Sequence, residues 1–592
     1  MPPVKQDSNV TGMRIAEEAS FGVLGASPVW EPFEPNEYPD FGGETVKVAR
    51  NPINRSRQRK KGVVVDLNAN AGVQTDFLQD NWFDKLQGFV SADWRRQAHD
   101  EDLGGTFSQA FTAAASDIVT IAAHGLATGD GPFFVSSDTT LPAGLTADTP
   151  YWVVVLSAST FNLAASHANA VAAVPVVVDI TDAGTGTHTM ASAPAVDATL
   201  DEFRVNDELS GANFKVGSLV LAEGFADAAN NGLHVVDAVA AGRVGVTSAL
   251  VDEASAPGSE LRVVGFQGGV GVLDVTGPSG GNKARITSDG SNPDFTTLGL
   301  VPGGYVYVGG DAAGERFGTA ANNGVKRVFS VSAAFIEIDE GGSTMVTEVN
   351  TTQDVQLFLP DVLKNEADPA LQVFRSYQAE RTLGLDDNGE QAEYEIGCTP
   401  STFEIVNATA DKILCNATFV AIDEETRDGL TGLKAGSRPD VAPGDAFNTS
   451  SDFMYGPKLT LVDGTELFTY VTEFTLSWDN NIALNKAIGV LGAFAASYGD
   501  FAVSAAVTAY FTTVAAKAAI RANSDVNFAF GVAVNNKGWM FSVPLVTLGG
   551  GKNNVASNEP ITVPLTVEGA AHPTFDHTLL MNYFSYLPDL AA

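Results

Sequence analysis

The fold class is decided by two stretches in the second half of the chain, Lys412-Ile413-Leu414-Cys415-Asn416-Ala417-Thr418-Phe419 and Tyr470-Val471-Thr472-Glu473-Phe474-Thr475-Leu476-Ser477-Trp478. Apolar and polar residues alternate along both stretches, and successive side chains of a β-strand point to opposite faces of the sheet. Alternation of this length predicts sheets with one face on a core and the other face elsewhere. We therefore predict a mainly β protein in which residues 361–592 form a large barrel or sandwich.

The same signal is present near the start of the chain. Thr45–Val48 and Val63–Leu67 have the composition of strands. The connector between them and its flanks carry six cations: Arg50, Arg55, Arg57, Arg59, Lys60 and Lys61. Two strands around such a connector predict a long hairpin with a charged tip.

One short helix is predicted downstream of this hairpin. Between Asp76 and Phe89, apolar residues recur at 78, 82, 86 and 89, a spacing that places them on one face of a helix. Asp76 is the expected N-cap, and Gly88 is the expected end.

The central part differs in composition and predicts inserted β modules. Residues 105–194 form the first, with strands expected at 117–121, 151–155 and 161–164. Residues 195–266 and 267–360 form two more that repeat one another, because Asn230-Asn231-Gly232 and Asn322-Asn323-Gly324 recur between similar Val-rich segments. Asn-Gly suits a tight type I′ turn, so the same hairpin is expected in both. The predicted organisation is a domain split between 1–104 and 361–592, with three modules inserted into it.

Charge argues against a protein that grips nucleic acid. The 592 residues hold 34 Lys and Arg against 71 Asp and Glu, a formal charge of −37. Proteins that bind DNA through its phosphates present basic surfaces. An acidic wall would instead let a polyanion pass without binding, although acidity also serves solubility alone.

Candidate sites for catalysis, cofactors or metals are weak. Cys398 and Cys415 are the only cysteines, too few for a disulfide framework or a structural zinc site. The Asp252-Glu253 and Asp339-Glu340 pairs, taken as equivalent positions of the two repeats, are too few ligands for Ca²⁺ and are expected to be surface turns. No catalytic residue, cofactor or metal is predicted. Neither export nor membrane insertion is expected, because residues 1–9 lack an apolar segment behind Lys5 and no run of about 18 apolar residues occurs.

The two ends of the chain together resemble the tail tube proteins of long-tailed bacteriophages. The resemblance rests on the order of short motifs: Glu17–Gly22, Ser56–Gly62, Asn81–Leu86, Phe474–Asn481, Val543–Val546 and Tyr583–Leu587. It covers residues 1–104 and 371–592. It implies a structural virion protein, made in the host cytoplasm, whose homohexameric rings contribute strands to a continuous inner β-barrel and stack helically into a DNA conduit.

The resemblance also implies partners and the position of the modules. The expected partners are other copies of the chain, tail completion or terminator proteins, the tape measure and baseplate or tip proteins, with viral DNA passing through unbound. The three central modules would project outward as decorations, similar to the immunoglobulin-like modules of many phage tails. A second hypothesis is a virion decoration or adhesin that binds host-surface carbohydrate through these modules.

The six cations of the hairpin are the candidate site residues. Three interpretations are open: a contact with the next ring or another partner, a solvated loop, or a contact with DNA.

Overall fold

The computed structural model describes residues 10–50, 53, 55, 60–101, 103–104, 107–147, 149–192, 195–205, 214–240, 242–254, 256–440, 444–461 and 464–589. The protein is mainly β, as the alternation predicts. The first segment supplies six strands and a helix: β1 (Gly12–Ser20), β2 (Val23–Leu24), β3 (Glu31–Phe33), β4 (Pro35–Glu37), β5 (Phe41–Arg50), β6 (Lys60–Asp76) and α1 (Phe83–Val90).

Residues 99–359, here called the insert, follow the first helix. Its first elements are β7 (His99–Glu101), β8 (Ser108–Ala113), β9 (Val119–Thr120), β10 (Phe133–Ser137), β11 (Trp152–Ser157), β12 (Thr160–Ala164), α2 (His167–Val171) and β13 (His188–Ser192). Next come β14 (Val196–Asp197), β15 (Glu202–Arg204), β16 (Ser218–Glu223), β17 (Gly232–Ala240), β18 (Arg243–Val246) and β19 (Glu260–Gln267). The last six are β20 (Asp274–Thr276), β21 (Ala284–Thr287), β22 (Tyr305–Val308), β23 (Gly324–Val331), β24 (Phe335–Ile338) and β25 (Gln356–Phe358).

The rest of the chain returns to longer strands. Its elements are β26 (Asp361–Lys364), β27 (Tyr377–Leu385), β28 (Glu390–Ala408), β29 (Leu414–Ala421), β30 (Asp423–Arg427), β31 (Tyr455–Leu461), β32 (Val471–Asp479), β33 (Ala483–Asn485), β34 (Ala495–Ser497), β35 (Ala502–Tyr510), α3 (Ala515–Ala522), β36 (Val526–Val534), β37 (Lys537–Gly550), β38 (Thr562–Gly569) and β39 (Leu580–Phe584). Short 3-10 turns lie at Ala228–Asn230, Phe295–Thr297, Ala313–Glu315, Ala320–Asn322 and Pro369–Leu371.

Residues 12–94 and 361–587, here called the body, enclose one core. One antiparallel sheet runs β31–β36–β37–β38–β35–β32–β28–β29–β6–β5. A second sheet, β3–β1–β27–β28–β30, shares the long strand β28. Aromatic rings fill the space between them, with Trp82 edge-on to Phe403 at 4.7 Å between ring centroids. Both ends of the chain therefore contribute to the same hydrophobic core.

The insert contains two kinds of sheet. Strands β8–β13 form one sheet in the order β10–β13–β8–β9–β12–β11, over a core of their own. The next twelve strands form another sheet in the order β14–β15–β18–β17–β16–β19–β25–β22–β23–β24–β21–β20. Its two halves have the same strand order and meet where β19 pairs with β25. We call these halves repeat 1 (195–267) and repeat 2 (268–359), and their order differs from that of β8–β13.

The repeats are packed firmly on the body. Leu221, Tyr307 and Phe358 of the shared sheet form one apolar cluster with Met540 and Phe584 of the body. Arg262 of β19 also forms an ion pair with the buried Asp361 at 3.0 Å. The unit 107–192 contacts repeat 1 instead, where the Arg204 guanidinium lies over the Phe134 ring at 4.8 Å.

The prediction of one helix at 76–89 was partly wrong. The helix exists as α1, but it begins at Phe83 because Asp76 is the last residue of β6. Gly88 lies inside the helix, where a Cβ would come within 2.7 Å of the Tyr377 hydroxyl. The helix ends at Val90 and is capped by Ser91 in the left-handed conformation, with φ 55. Two further helices, α2 and α3, were not predicted.

The tight Asn-Gly turns were also wrong. The strands of each hairpin do pair, β16 with β17 and β22 with β23, but the loops between them are longer than two residues. Asn231 explains the shape of the first loop, because its side chain accepts a hydrogen bond from Phe225 N and donates to Phe225 O. Asn323 makes the same two bonds with Phe317. These asparagines act through their side chains instead of through a type I′ backbone.

Candidate assembly surfaces

The hairpin predicted near the start of the chain is confirmed: β5 pairs with β6 from Phe41 and Ala71 out to Arg50 and Lys60. We call its outer part, residues 44–66, the arm. Val46, Val48 and Val63 are 39%, 52% and 51% exposed, so neither strand of the arm is covered by the body. Exposed β-branched residues on an unsupported ribbon are typical of a surface that another protein covers.

Four of the six candidate cations are described. Arg50, Arg55, Lys60 and Lys61 are exposed on the arm, and Arg57 and Arg59 lie outside the described residues. Arg50 is directly opposite Lys60, a like-charged pair that disfavours the isolated hairpin. None of the four forms an ion pair with any residue that the structure describes. The arm is thus a basic, partly apolar element on an acidic protein.

A second surface was not predicted residue by residue. The strands β6, β29, β28, β32, β35 and β38 bury alternate side chains in the core and present the others outward. We call this outward side the polar face. Its residues are Asn68, Asn70, Gln74, Asp76, Leu414, Asn416, Thr418, Val420, Thr402, Glu404, Val406, Glu473, Thr475, Ser477, Asp479, Ala502, Ser504, Ala506, Thr508, Thr562, Pro564, Thr566 and Glu568. Carboxylates occur among them, but no Lys or Arg does.

The polar face is organised in rows across the strands. One row joins Gln74, Asn416, Glu404, Ser477 and Ser504 through the registers of five strands. Gln74 Nε2 donates to Asn416 Oδ1 at 2.9 Å, and Asn416 Nδ2 donates to Glu404 Oε2 at 2.9 Å. The hydroxyls of Ser477 and Ser504 are 2.9 Å apart. The residues of this wall are uncharged or negative, and the two lysines that contact it, Lys412 and Lys486, are ion-paired with Asp76 and Asp66 and so are not free to hold a phosphate.

A cleft of about 560 Å³ lies between repeat 2 and the body. Glu340 and Tyr455 line this cleft, and the hydroxyls of Tyr455 and of the buried Tyr305 both donate to the Glu340 carboxylate, at 2.6 and 2.7 Å. Arg327 completes the cluster by pairing with Asp339 and Glu340. Burial lowers the pKa of the neighbouring Lys326 to about 8. These contacts join the repeat to the body and hold Asp339 and Glu340 in protein hydrogen bonds.

The predicted equivalence of Asp252-Glu253 with Asp339-Glu340 was wrong. Glu253 accepts hydrogen bonds from Ala226 N and from Asn230 Nδ2. The residue with the same contacts in repeat 2 is Glu348, which binds Gly318 N and Asn322 Nδ2. Among the described residues, no group of three or more His, Cys, Asp or Glu could hold a metal ion. Both cysteines are buried, and burial raises their thiol pKa values.

Three surface features stand out in this molecule: an exposed arm, a broad polar sheet face and an insert packed on one body. These features are typical of β-rich structural proteins. The family comparison agrees, because the model for the phage tail tube protein family matches residues 8–569. The chain belongs to this family and is a structural component of the virion tail. No curated protein matches it. In the described part of the chain, no helix is long and apolar enough to cross a bilayer.

Proposed function

We propose that the chain builds closed rings with six positions, that the rings stack helically into a tail tube, and that the polar face lines the channel through which viral DNA passes. The observation that carries this proposal is the polar face itself. It is a continuous outward sheet surface without Lys or Arg, on a member of the tail tube family. A polyanion would move along such a wall without being held by it.

The arm is the proposed contact between one ring and the next, or between the tube and a partner at its end. Exposed valines supply apolar area, and the four described cations have no carboxylate partner within the described chain. An acidic surface of a second copy would satisfy them, because the chain as a whole carries a charge of −37. The expected partners beyond other copies are the terminator, tape measure and baseplate or tip proteins of a siphovirus-type tail.

The insert is the proposed decoration on the outside of the tube. The division predicted from the sequence puts 1–104 and 361–592 in the tube domain, with 105–194, 195–266 and 267–360 inserted. Because β7 (His99–Glu101) pairs with β19, we place the first boundary before residue 99. Separate hydrophobic cores for the unit 107–192, repeat 1 and repeat 2 support this division.

Electron microscopy of the purified, concentrated protein tests self-assembly. Hollow rods or rings with outward projections are expected. Uniform monomers that form neither, even with virion lysate as a nucleator, would contradict the proposed function.

The role of the arm is tested by replacing Arg55, Arg57 and Arg59 with alanine together. Removing three cations from the ring contact should shorten or abolish the tubes, with a loss of polymer of about tenfold or more at equal protein concentration. Tube length and pelletable protein are the measurements. A control variant removes three cations of the repeats, Lys215, Lys283 and Arg316, and should polymerise normally. Tubes of normal length from the arm variant would contradict the proposed role of the arm in contacts between rings.

A further inference from the structure

The body is built twice from the same plan. Strand pairs β1–β27, β5–β6, β6–β29, β27–β28, β28–β29 and β28–β30 belong to its first half. The second half pairs β31–β36, β32–β35, β35–β38, β36–β37, β37–β38 and β37–β39. Order along the chain is also the same, with α1 after β6 and α3 after β35. We call the two halves unit A and unit B.

One sheet contact joins the units inside the chain. The last part of β28 in unit A pairs with β32 in unit B, from Thr402 and Asp479 to Ala408 and Glu473. This joint makes the polar face continuous across both units. It uses the edge of β28 beyond the residues that pair with β27.

Each half of this joint has a counterpart without a partner. In unit B, the counterpart of β28 is β37, and its paired strands are β36, β38 and β39. In unit A, the counterpart of β32 is β4 with the start of β5, and both pair only with β6 among the described strands. The two open edges therefore match the two sides of the internal joint. Unpaired strand edges are templates for pairing with another chain.

The registers identify the residues that would meet. Val406 pairs with Leu414 in unit A, and Asn554 pairs with Thr562 at the equivalent place in unit B. Two residues earlier on each strand, Lys552 of unit B is therefore the counterpart of Glu404 of unit A. Gly42 and Glu44 pair with Asn70 and Asn68 of β6, and Ser477 and Asp479 pair with the equivalent residues of β35. Gly42 and Glu44 are therefore the counterparts of Ser477 and Asp479. Since Glu404 is opposite Ser477, Lys552 would lie opposite Gly42.

Charge and hydrogen bonding agree with this match. Lys552 is exposed, and exposed Asp40 and Glu44 flank Gly42 on the other edge. Side chains two positions apart on facing strands are within reach of a long side chain such as lysine. Asn553, on the same edge, has a buried side-chain oxygen without a hydrogen-bond partner in the described chain. Val555 beside it is 72% exposed.

We infer that copies of this chain join edge to edge, with residues 547–556 of one copy pairing with residues 37–45 of the next, and that each chain fills two positions of the ring. This inference rests on the proposed tube function. A ring with six positions then holds three chains instead of the six expected from the resemblance. Each ring would also carry three decorations.

A charge exchange tests the joint in the full-length protein. Lys552→Glu alone and Glu44→Lys alone should each reduce ring and tube formation by about tenfold or more, because like charges would meet at the joint. The double variant K552E/E44K restores opposite charges and should restore assembly. The matched control is K552E/D387K, which has the same net charge but changes an exposed carboxylate outside the joint, and it should not recover. Thermal unfolding of each monomer checks that it is folded.

Electron cryomicroscopy of wild-type tubes measures the number of chains in each ring. Three inserts per ring would support the inference, and six would overturn it. Normal assembly of the K552E variant, or recovery in K552E/D387K, would overturn it as well. A wild-type protein that makes no rings at all would instead remove the proposed tube function on which the inference rests.

Discussion

At the scale of single residues, the clearest departure from ordinary chemistry is Glu395. It lies on β28, fully buried, and neither carboxylate oxygen has a hydrogen-bond partner within the described chain. Burial, together with the nearby Glu424 and Glu393 carboxylates, raises the pKa of Glu395 to about 8. The folded protein therefore keeps a proton on this group at pH values where the unfolded chain has lost it.

This raised pKa predicts that the free energy of unfolding falls as the pH rises. The stabilisation linked to protonated Glu395 is complete below the usual carboxyl pKa near 4.5 and is lost as the pH rises through about 8. Glu395→Gln mimics the protonated form, so it should raise the free energy of unfolding at pH 9 by an amount on the order of a few kcal/mol. At pH 5 the two proteins should be nearly equal. Thermal or denaturant unfolding at both pH values is the measurement, and equal stability at pH 9 would contradict the prediction.

At the scale of elements, the insert contains parts that differ in their dependence on the body. The unit 107–192 has its own core, and its first and last strands are paired, with Ser108 opposite Ala191. Its two ends therefore lie side by side. Repeats 1 and 2 instead share an apolar cluster with Ala529, Met540 and Phe584 of the body.

Two deletions should therefore behave differently. Removing 107–192 should leave a folded protein that still assembles, because the cut ends already lie close together and no body core is opened. Removing 105–360 should expose the apolar surface around Met540 and cause aggregation. Size-exclusion chromatography and electron microscopy distinguish the two products. If the protein without 107–192 aggregated while the protein without 105–360 stayed soluble, the prediction that only the repeats depend on the body would be wrong.

At the scale of the whole molecule, the distribution of charge is the main functional feature. None of the outward residues that form the polar face is a Lys or Arg, and the two lysines that contact it, Lys412 and Lys486, form ion pairs with Asp76 and Asp66. If this face lines the channel, the free energy of DNA along it should stay nearly level, since no phosphate is bound more tightly at one position than at another.

Adding cations to the polar face should slow DNA passage. Glu473→Lys with Glu568→Lys places lysines on exposed positions of β32 and β38. Tubes should form normally, because neither residue belongs to the proposed joint, while DNA ejection from reconstituted virions should slow severalfold, most strongly at low salt. Time-resolved ejection at two ionic strengths is the measurement. Asp237→Lys with Asp387→Lys adds the same charge away from this face and should eject at the wild-type rate.

Much of the local structure was accessible from the sequence. Period-two alternation predicted β29 and β32, and the Val-rich segments around the cations predicted the β5–β6 hairpin. The prediction of the turns was wrong because the conformation of Asn230-Asn231-Gly232 depends on side-chain hydrogen bonds to residues outside the triplet, such as Val251 and Glu253. The predicted start of the helix was wrong because β6 continues through Asp76, which pairs with Leu414 far along the chain.

The β class, the basic hairpin and the likeness to tail tube proteins follow from the amino-acid sequence alone, because alternation and local motifs depend on neighbours along the chain. The fold in three dimensions was needed to find that the body is built twice, that outward residues of six strands form one polar face, and that two matching strand edges are open. These features depend on pairing between residues as distant as Gln74 and Asn416. Strand pairing satisfies backbone hydrogen bonds that look the same for every sequence, so the choice of partner is made by packing in three dimensions.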